Sequence, residues 1–173
     1  MRMLFEMDAK DYDPAWEKYV RPSVRAIIVR NGKIAMVHSL KYDYYKFPGG
    51  GIEEKESRLE ALCRETAEEA GLTVLPESVK EYGLVRRCEK SDHNGRSKVF
   101  VQDNYYYLCE VRGEVLSQEL DDYEADERFT LEWVLPQTAI DANRKPEHGP
   151  KSKLMIEREA RVLEILLGEG YFG

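Results

Sequence analysis

The sequence predicts an α/β (α+β) fold arranged as a layered sandwich. Three observations predict it. Strand-like and helix-like segments are mixed without strict alternation, as in α+β and layered α/β folds. Two segments, 57–70 and 151–167, carry helical periodicity. Two Asn-Gly dipeptides, Asn31-Gly32 and Asn94-Gly95, sit between strand-like runs where hairpin turns belong.

Residues 1–21 are polar with scattered aromatics, and they predict an N-terminal arm with a short helix around Pro14 to Tyr19. The remaining 22–173 form the expected domain. Ser23 to Val29 is strand-like, Asn31-Gly32 turns the chain, and Lys33 to Ser39 returns as a second strand. A turn-rich stretch follows, carrying Tyr42, Tyr44 and Tyr45 and ending at Pro48-Gly49-Gly50-Gly51. Ser57 and Glu60 have the spacing of a capping box. Behind them Leu59, Leu62, Cys63, Thr66 and Ala70 recur at helical spacing and are expected to face the core. Gly71 stands where a left-handed C-terminal cap belongs. Segments 79–89 and 97–111 read as the arms of a long hairpin. Residues 117–127 read as an acidic loop and Phe129 to Val134 as a strand. Residues 143–150 read as a loop, and Lys151 to Leu167 as a closing amphipathic helix.

The bulk numbers narrow the function. A chain of 173 residues fits one domain with short extensions. Its net charge of −7 argues against a general nucleic-acid binder, because phosphate contacts supply most of such a protein's affinity. No apolar stretch is long enough to span a bilayer, so no membrane partner is expected. Met1 to Lys10 does not resemble a secretory signal. Cys63, Cys88 and Cys109 form no CxxC pair, which suggests neither a disulfide framework nor a zinc site. The simplest compartment is a reducing cytoplasm.

The chemistry is concentrated in Gly50 to Leu72. On a helix, Glu65, Glu68 and Glu69 stand at i, i+3 and i+4, with Cβ atoms about 5–6 Å apart. The small Ala61 lies one turn earlier on that face, giving an acidic dish beside a glycine-rich loop. Such a cluster costs an isolated helix roughly 0.2–0.5 kcal/mol for the Glu65/Glu69 pair. Anions in the last turn add about 0.3–1 kcal/mol each against the helix dipole. A hard divalent cation would remove both penalties. Three glutamates alone are as well explained by a solvated helix face. The longer spacing decides between the two readings. Gly50, Glu56, Arg64, Glu65, Glu68, Glu69, Gly71 and the aliphatic Leu72 fall in one register, and the seven positions before Leu72 coincide by chance on the order of once in 10⁸ starts.

This register resembles the Nudix box, and the order of the flanking strands and helices is similar to the family fold. Thr66 is its one departure, standing where the family has an aliphatic residue. The resemblance implies a Nudix-like α/β/α sandwich with a mixed central sheet. It also implies hydrolysis of a diphosphate linkage in a nucleotide-like substrate, dependent on Mg²⁺ or Mn²⁺. By the same resemblance the metal ligands are Glu65, Glu68, Glu69 and the carbonyl of Gly49. Glu65 is also the candidate general base, Arg64 the residue that orients the glutamates, and Glu56 a supporting acid. A further base or ligand is expected from Glu124, Asp126 or Glu127, with Glu127 placed among the catalytic residues.

The box sets the reaction and leaves the substrate open. The candidates are nucleoside diphosphates linked to another group, such as ADP-ribose-like sugar nucleotides, and nucleoside triphosphates. RNA 5′ ends, which some relatives process, are a further possibility. Tyr44 or Tyr45 can stack on a base, and Tyr45 is the substrate-binding candidate together with Arg25 and Arg86; Arg87 and Arg96 are further arginines for a distal phosphate. A small nucleotide is the expected partner, and a homodimer is compatible with the arm. The competing function is a nucleotide sensor of the same fold that does not cleave its ligand.

Overall fold

A computed structural model describes residues 1–173. The longest elements are the hairpin arms β8 (Lys80–His93) and β9 (Arg96–Leu108), joined through Asn94 and Gly95 at φ 52° and 70°. Both turn residues are left-handed, as a two-residue hairpin turn requires. β1 (Met3–Asp8) runs parallel to β8. On the other side of the hairpin, β2 (Lys18–Val20) and β3 (Ser23–Ile27) run parallel to successive stretches of β9. The result is a five-stranded sheet of mixed direction.

A second, four-stranded antiparallel sheet is centred on β5 (Lys33–Ser39). It pairs with β11 (Phe129–Val134) on one edge, and with β4 (Val29–Arg30) and β6 (Tyr44–Lys46) on the other. β7 (Leu72–Val74) and β10 (Val111–Val115) make a small third sheet. Helix α1 (Arg58–Ala70) packs on β3, β5, β7 and β11 over one apolar core, which includes Val24, Val37, Leu62 and Phe129. α2 (Asp122–Asp126) leads into β11. α3 (Pro136–Asn143) and α4 (Lys153–Gly168) pack together over a second core, which includes Ile34, Phe47, Tyr106 and Leu163. Helices therefore cover two opposite sides of the sheet structure, as expected of an α/β/α sandwich. No helix is long and apolar enough to cross a membrane.

Several expectations need correction. The arm forms no helix around Pro14 to Tyr19. A turn closes there, with the Trp16 N–H donating to the Asp13 carbonyl at 3.0 Å, and the flanking residues become β1 and β2. The long hairpin has two free edges, and their unpaired ladder groups hold the arm as strand. The tyrosine-rich stretch contains β6, all three residues of which are buried. The acidic loop holds α2, opened by a capping box in which Asp121 accepts from the Glu124 N–H. Pro136 starts α3, where its missing N–H removes no helical bond.

The buried side of α1 is also rotated from its expected place. Leu59 is 42% exposed, while Ala61 and Glu69 are buried with Leu62, Thr66 and Ala70. The expected acidic dish is thus partly an interior surface. The neighbouring sheet edge supplies Lys46 to the buried glutamate, which no helical period can reveal.

Candidate active site

Three glycines bring the loop 48–51 against β3. The Val24 N–H donates to the Gly50 carbonyl at 3.0 Å and the Ala26 N–H to the Pro48 carbonyl at 2.8 Å. Gly49 has φ +141°, and a Cβ on it would lie 2.1 Å from the Val24 carbonyl oxygen, so no side chain passes there. At Gly50 a Cβ would fall 2.2 Å from Glu65 Oε2. Its absence makes the cradle in which that carboxylate lies.

Arg64 is the hub of the acidic cluster. It binds Glu56 bidentately, Nε to Oε1 at 2.7 Å and Nη2 to Oε2 at 2.9 Å. Its Nη1 donates to Glu65 Oε1 at 2.8 Å and Glu68 Oε2 at 3.2 Å, and Nη2 donates to the Gly51 carbonyl at 3.2 Å. A planar guanidinium is suited to such forked contacts. These bonds hold the Glu56 carboxyl below the usual carboxylate range. Burial pushes Glu68 up, and Arg64 pulls it back.

Glu69 is separate from that hub. Its side chain is buried, ion-paired to Lys46, and accepts the Gly49 N–H at 3.0 Å. Burial pushes its carboxyl up to about 7, against the pull of Lys46 and Arg25. Glu65 and Glu68 thus meet at Arg64 and Glu69 at Lys46, and no three His, Cys, Asp or Glu side chains stand together as a metal-holding group. The physical reason is charge pairing: Arg64 takes Glu65 and Glu68, and Lys46 takes Glu69. The Gly49 carbonyl accepts from Arg25 Nη1. The expected ligands are all hard oxygens, of which the Glu65 carboxylate lies in the Gly50 cradle, and such a donor set suits Mg²⁺.

Beside the loop lies a cavity of about 250 Å³. Five cations line it: Arg21, Arg25, Lys46, Arg87 and Lys151. Tyr44, Phe100, Tyr123 and Phe129 supply its aromatic wall. Lys46 and Lys151 have buried counterions, Glu69 and Glu127. Arg87 is held by Gln102 Oε1 at 3.0 Å and Glu89 at 3.4 Å. The same Gln102 oxygen accepts from Arg158 at 3.2 Å, and Arg158 pairs with Glu159 in the second core. Arg21 and Arg25 form no ion pair. The Nε atoms of Arg25 and Arg87 are buried without a hydrogen-bond acceptor, which leaves the cavity short of anions.

The structure sorts the remaining candidates. Tyr45 is outside the cavity, stacked on His38 at 4.1 Å with its hydroxyl on Glu132 at 2.7 Å. Arg86 is also outside, bound to Asp103 at 2.7 and 2.9 Å. Side chains alternate along a strand, so the adjacent Tyr44 and Arg87 face the cavity instead. Glu127 is buried, accepting from Ser39 Oγ at 2.9 Å and the Tyr44 hydroxyl at 2.7 Å besides Lys151. With those partners it anchors the cavity wall. Asp126 is exposed and pairs with Lys41 at 2.6 Å, and Glu124 closes the α2 capping box. Lys46, Lys151 and Arg21 join the cavity lining from outside the residues expected there on sequence. Lys46 had a signal: a lysine between Tyr45 and Phe47 in a buried strand demands a counterion.

Residues 20–156 match the NUDIX domain family. The RNA pyrophosphohydrolase of Xylella fastidiosa (strain Temecula1) is 30% identical over 122 residues, 66% of this chain and 63% of that protein. The RNA pyrophosphohydrolase of Xanthomonas campestris pv. campestris (strain B100) is 29% identical over 124 residues, 66% of this chain and 58% of its own length. The match thus spans less than two thirds of these relatives. Among solved structures, one from work on MutT of Aliivibrio salmonicida and Vibrio cholerae aligns with a TM-score of 0.54 at 18% identity, covering 87% of this chain and 99% of that one. A NUDIX hydrolase from Nitrosomonas europaea aligns at 0.53 and 16%, covering 83% and 90%. These structural likenesses establish the shared fold.

Proposed function

This chain belongs to the Nudix family, and from that premise we propose that it is a Mg²⁺- or Mn²⁺-dependent pyrophosphohydrolase acting on a nucleotide that carries a diphosphate linkage. The observation that carries this reading is the cavity: five cations gather against the box loop in a chain whose net charge is −7. A solvated acidic helix face has no use for such a wall, whereas a di- or triphosphate does. Glu65, Glu68 and the Gly49 carbonyl would hold the cation, with Glu69 at the base of the site. When bound, the cation would neutralise phosphate oxygens and lower the pKa of a coordinated water.

The chain's own residues supply the rest. Arg64 holds Glu65 and Glu68 in one orientation, a task for which charge-assisted bonds are strong enough. Arg21, Arg25, Arg87 and Lys151 bind the phosphate oxygens. Arg64 occupies Glu65 Oε1, and Oε2, lying in the Gly50 cradle, accepts no hydrogen bond. That atom is the proposed proton acceptor for the attacking water, a role worth typically 10²–10⁴-fold. Attack on one phosphorus breaks its bond to the bridging oxygen, and the bridging oxygen leaves on the other phosphate. The free thiols of Cys63, Cys88 and Cys109 support a cytoplasmic setting.

A second substrate reading comes from the relatives described as RNA pyrophosphohydrolases: the diphosphate linkage would be that of an RNA 5′ end. The test is phosphate or pyrophosphate release from a panel of sugar nucleotides, nucleoside triphosphates and 5′-triphosphorylated oligoribonucleotides, with and without Mg²⁺. Glu68→Gln is the control variant. Metal-dependent release that the variant abolishes supports the enzyme and names its substrate. Ligand binding without release from any member would replace the enzyme by a nucleotide sensor.

A further inference from the structure

The cavity opens onto one face of the long hairpin, and strand register extends that face. Residues paired directly across strands share a side of the sheet. Arg87 lies opposite Gln102, Glu89 opposite Phe100, Ser91 opposite Lys98 and His93 opposite Arg96. Arg87, Gln102 and Phe100 line the cavity, so the same side continues outward to His93 and Arg96, roughly 13 Å beyond Phe100 at the usual rise per strand residue. β2 places Tyr19 next to Phe100 on this side.

The rings form a continuous series. The Arg87 guanidinium lies 5.0 Å from the Phe100 centroid. Tyr19 is 5.7 Å from Phe100 and stacks on His93 at 4.3 Å with 16° between planes. Phe100, Tyr19 and His93 are all half-buried. The acids on this face are committed. Glu89 is tied to Arg87 at 3.4 Å and Ser152 at 2.9 Å, and Glu17 to Lys98 at 3.2 Å. Arg21 at the cavity and the exposed Arg96 at the hairpin tip form no ion pair, so the free charge is cationic at both ends. A row of half-buried rings between free guanidiniums is the pattern that binds a single-stranded nucleic acid, bases stacking and phosphates meeting cations.

We propose that this hairpin face, formed by Phe100, Tyr19 and His93 between Arg21 and Arg96, binds the single-stranded polynucleotide whose terminal phosphates enter the cavity. The proposal rests on the phosphate-hydrolysis reading and selects the RNA 5′ end from its substrates. It requires no broad basic surface, in keeping with the acidic chain.

Two measurements on the full chain test it. The first compares kcat/KM for a 5′-triphosphorylated oligoribonucleotide and a nucleoside triphosphate in wild type, Tyr19→Ala and Arg96→Ala. Tyr19→Ala should raise KM for the oligonucleotide roughly five- to a hundredfold, the effect of losing one stacked base. Both variants should leave the nucleoside triphosphate within twofold of wild type. Equal losses on both substrates, or no loss on the oligonucleotide, would overturn the proposal. The second is fluorescence anisotropy of a 3′-labelled oligoribonucleotide with a 5′-hydroxyl. Here Arg96→Ala should weaken binding and flatten its dependence on log salt by about 0.7. If wild type hydrolyses neither substrate, the enzymatic reading fails and anisotropy alone decides. Binding weakened by both variants then supports the track, and absent or unaltered binding rejects it.

Discussion

Lys46 and Glu69 carry opposite charges in a place where neither would be stable alone. Both side chains are nearly removed from solvent, and the Gly49 N–H supplies a further bond to the carboxylate. Breaking such a pair from one side leaves an uncompensated buried charge, usually at a cost of 3–5 kcal/mol. Lys46→Met is therefore expected to destabilise the protein by about that amount in urea unfolding. Lys46→Met with Glu69→Gln should cost less than the sum of the single changes, because the stranded charge is gone. An additive result would show that the two side chains act independently. Register also decides which of two adjacent residues is functional. Tyr44 and Arg87 face the cavity while Tyr45 and Arg86 face elsewhere, a one-residue difference that composition does not contain.

Helix α1 is the element on which the box depends, and its ends were legible in sequence. Ser57 and Glu60 form both bonds of the capping box, at 3.2 and 2.8 Å. Gly71 closes the helix at φ +66° with its N–H on the Ala67 carbonyl. Ser57→Ala should cost about 1 kcal/mol, the usual effect of losing a side-chain cap. Gly71→Ala should cost more than that. It combines left-handed strain with a Cβ that would lie 2.1 Å from the Leu116 carbonyl oxygen. Thermal unfolding of the two variants checks the ranking, and a smaller loss at Gly71 would contradict the geometry. The face between these ends was less legible. Periodicity assigned Leu59 inward, yet Leu59 is exposed and Glu69 buried, because a tertiary counterion makes a glutamate acceptable inside.

At the scale of the whole molecule, the acidic site is held by the protein's own cations. Arg64 spans Glu56, Glu65 and Glu68, and Lys46 neutralises Glu69. Removing divalent metal with a chelator should therefore abolish hydrolysis while leaving the melting temperature nearly unchanged. That contrasts with small metal-folded domains, which unfold without their ion. A fall of many degrees on chelation, reversed by Mg²⁺, would show that the cation is structural. The two apolar cores on either side of the sheets provide the stability on which this expectation rests.

Local chemistry determined the parts of this protein that depend on neighbours in sequence. The Asn-Gly turns, the capping box, the Gly71 cap and the register from Gly50 to Leu72 all act within a few residues, so their signals survive in one dimension. Short elements escaped this reading. β6, α2 and α3 have too few residues to show a period, and β1 and β2 exist because the long hairpin offers them its edges. The cavity wall needed the fold most of all. Arg21, Lys46, Arg87 and Lys151 come from distant parts of the chain, and Glu127 reaches Lys151 across 24 positions. Only tertiary packing could bring these charges together. It does so because a buried charge must find its partner, or leave a site for one, wherever in the sequence that partner lies.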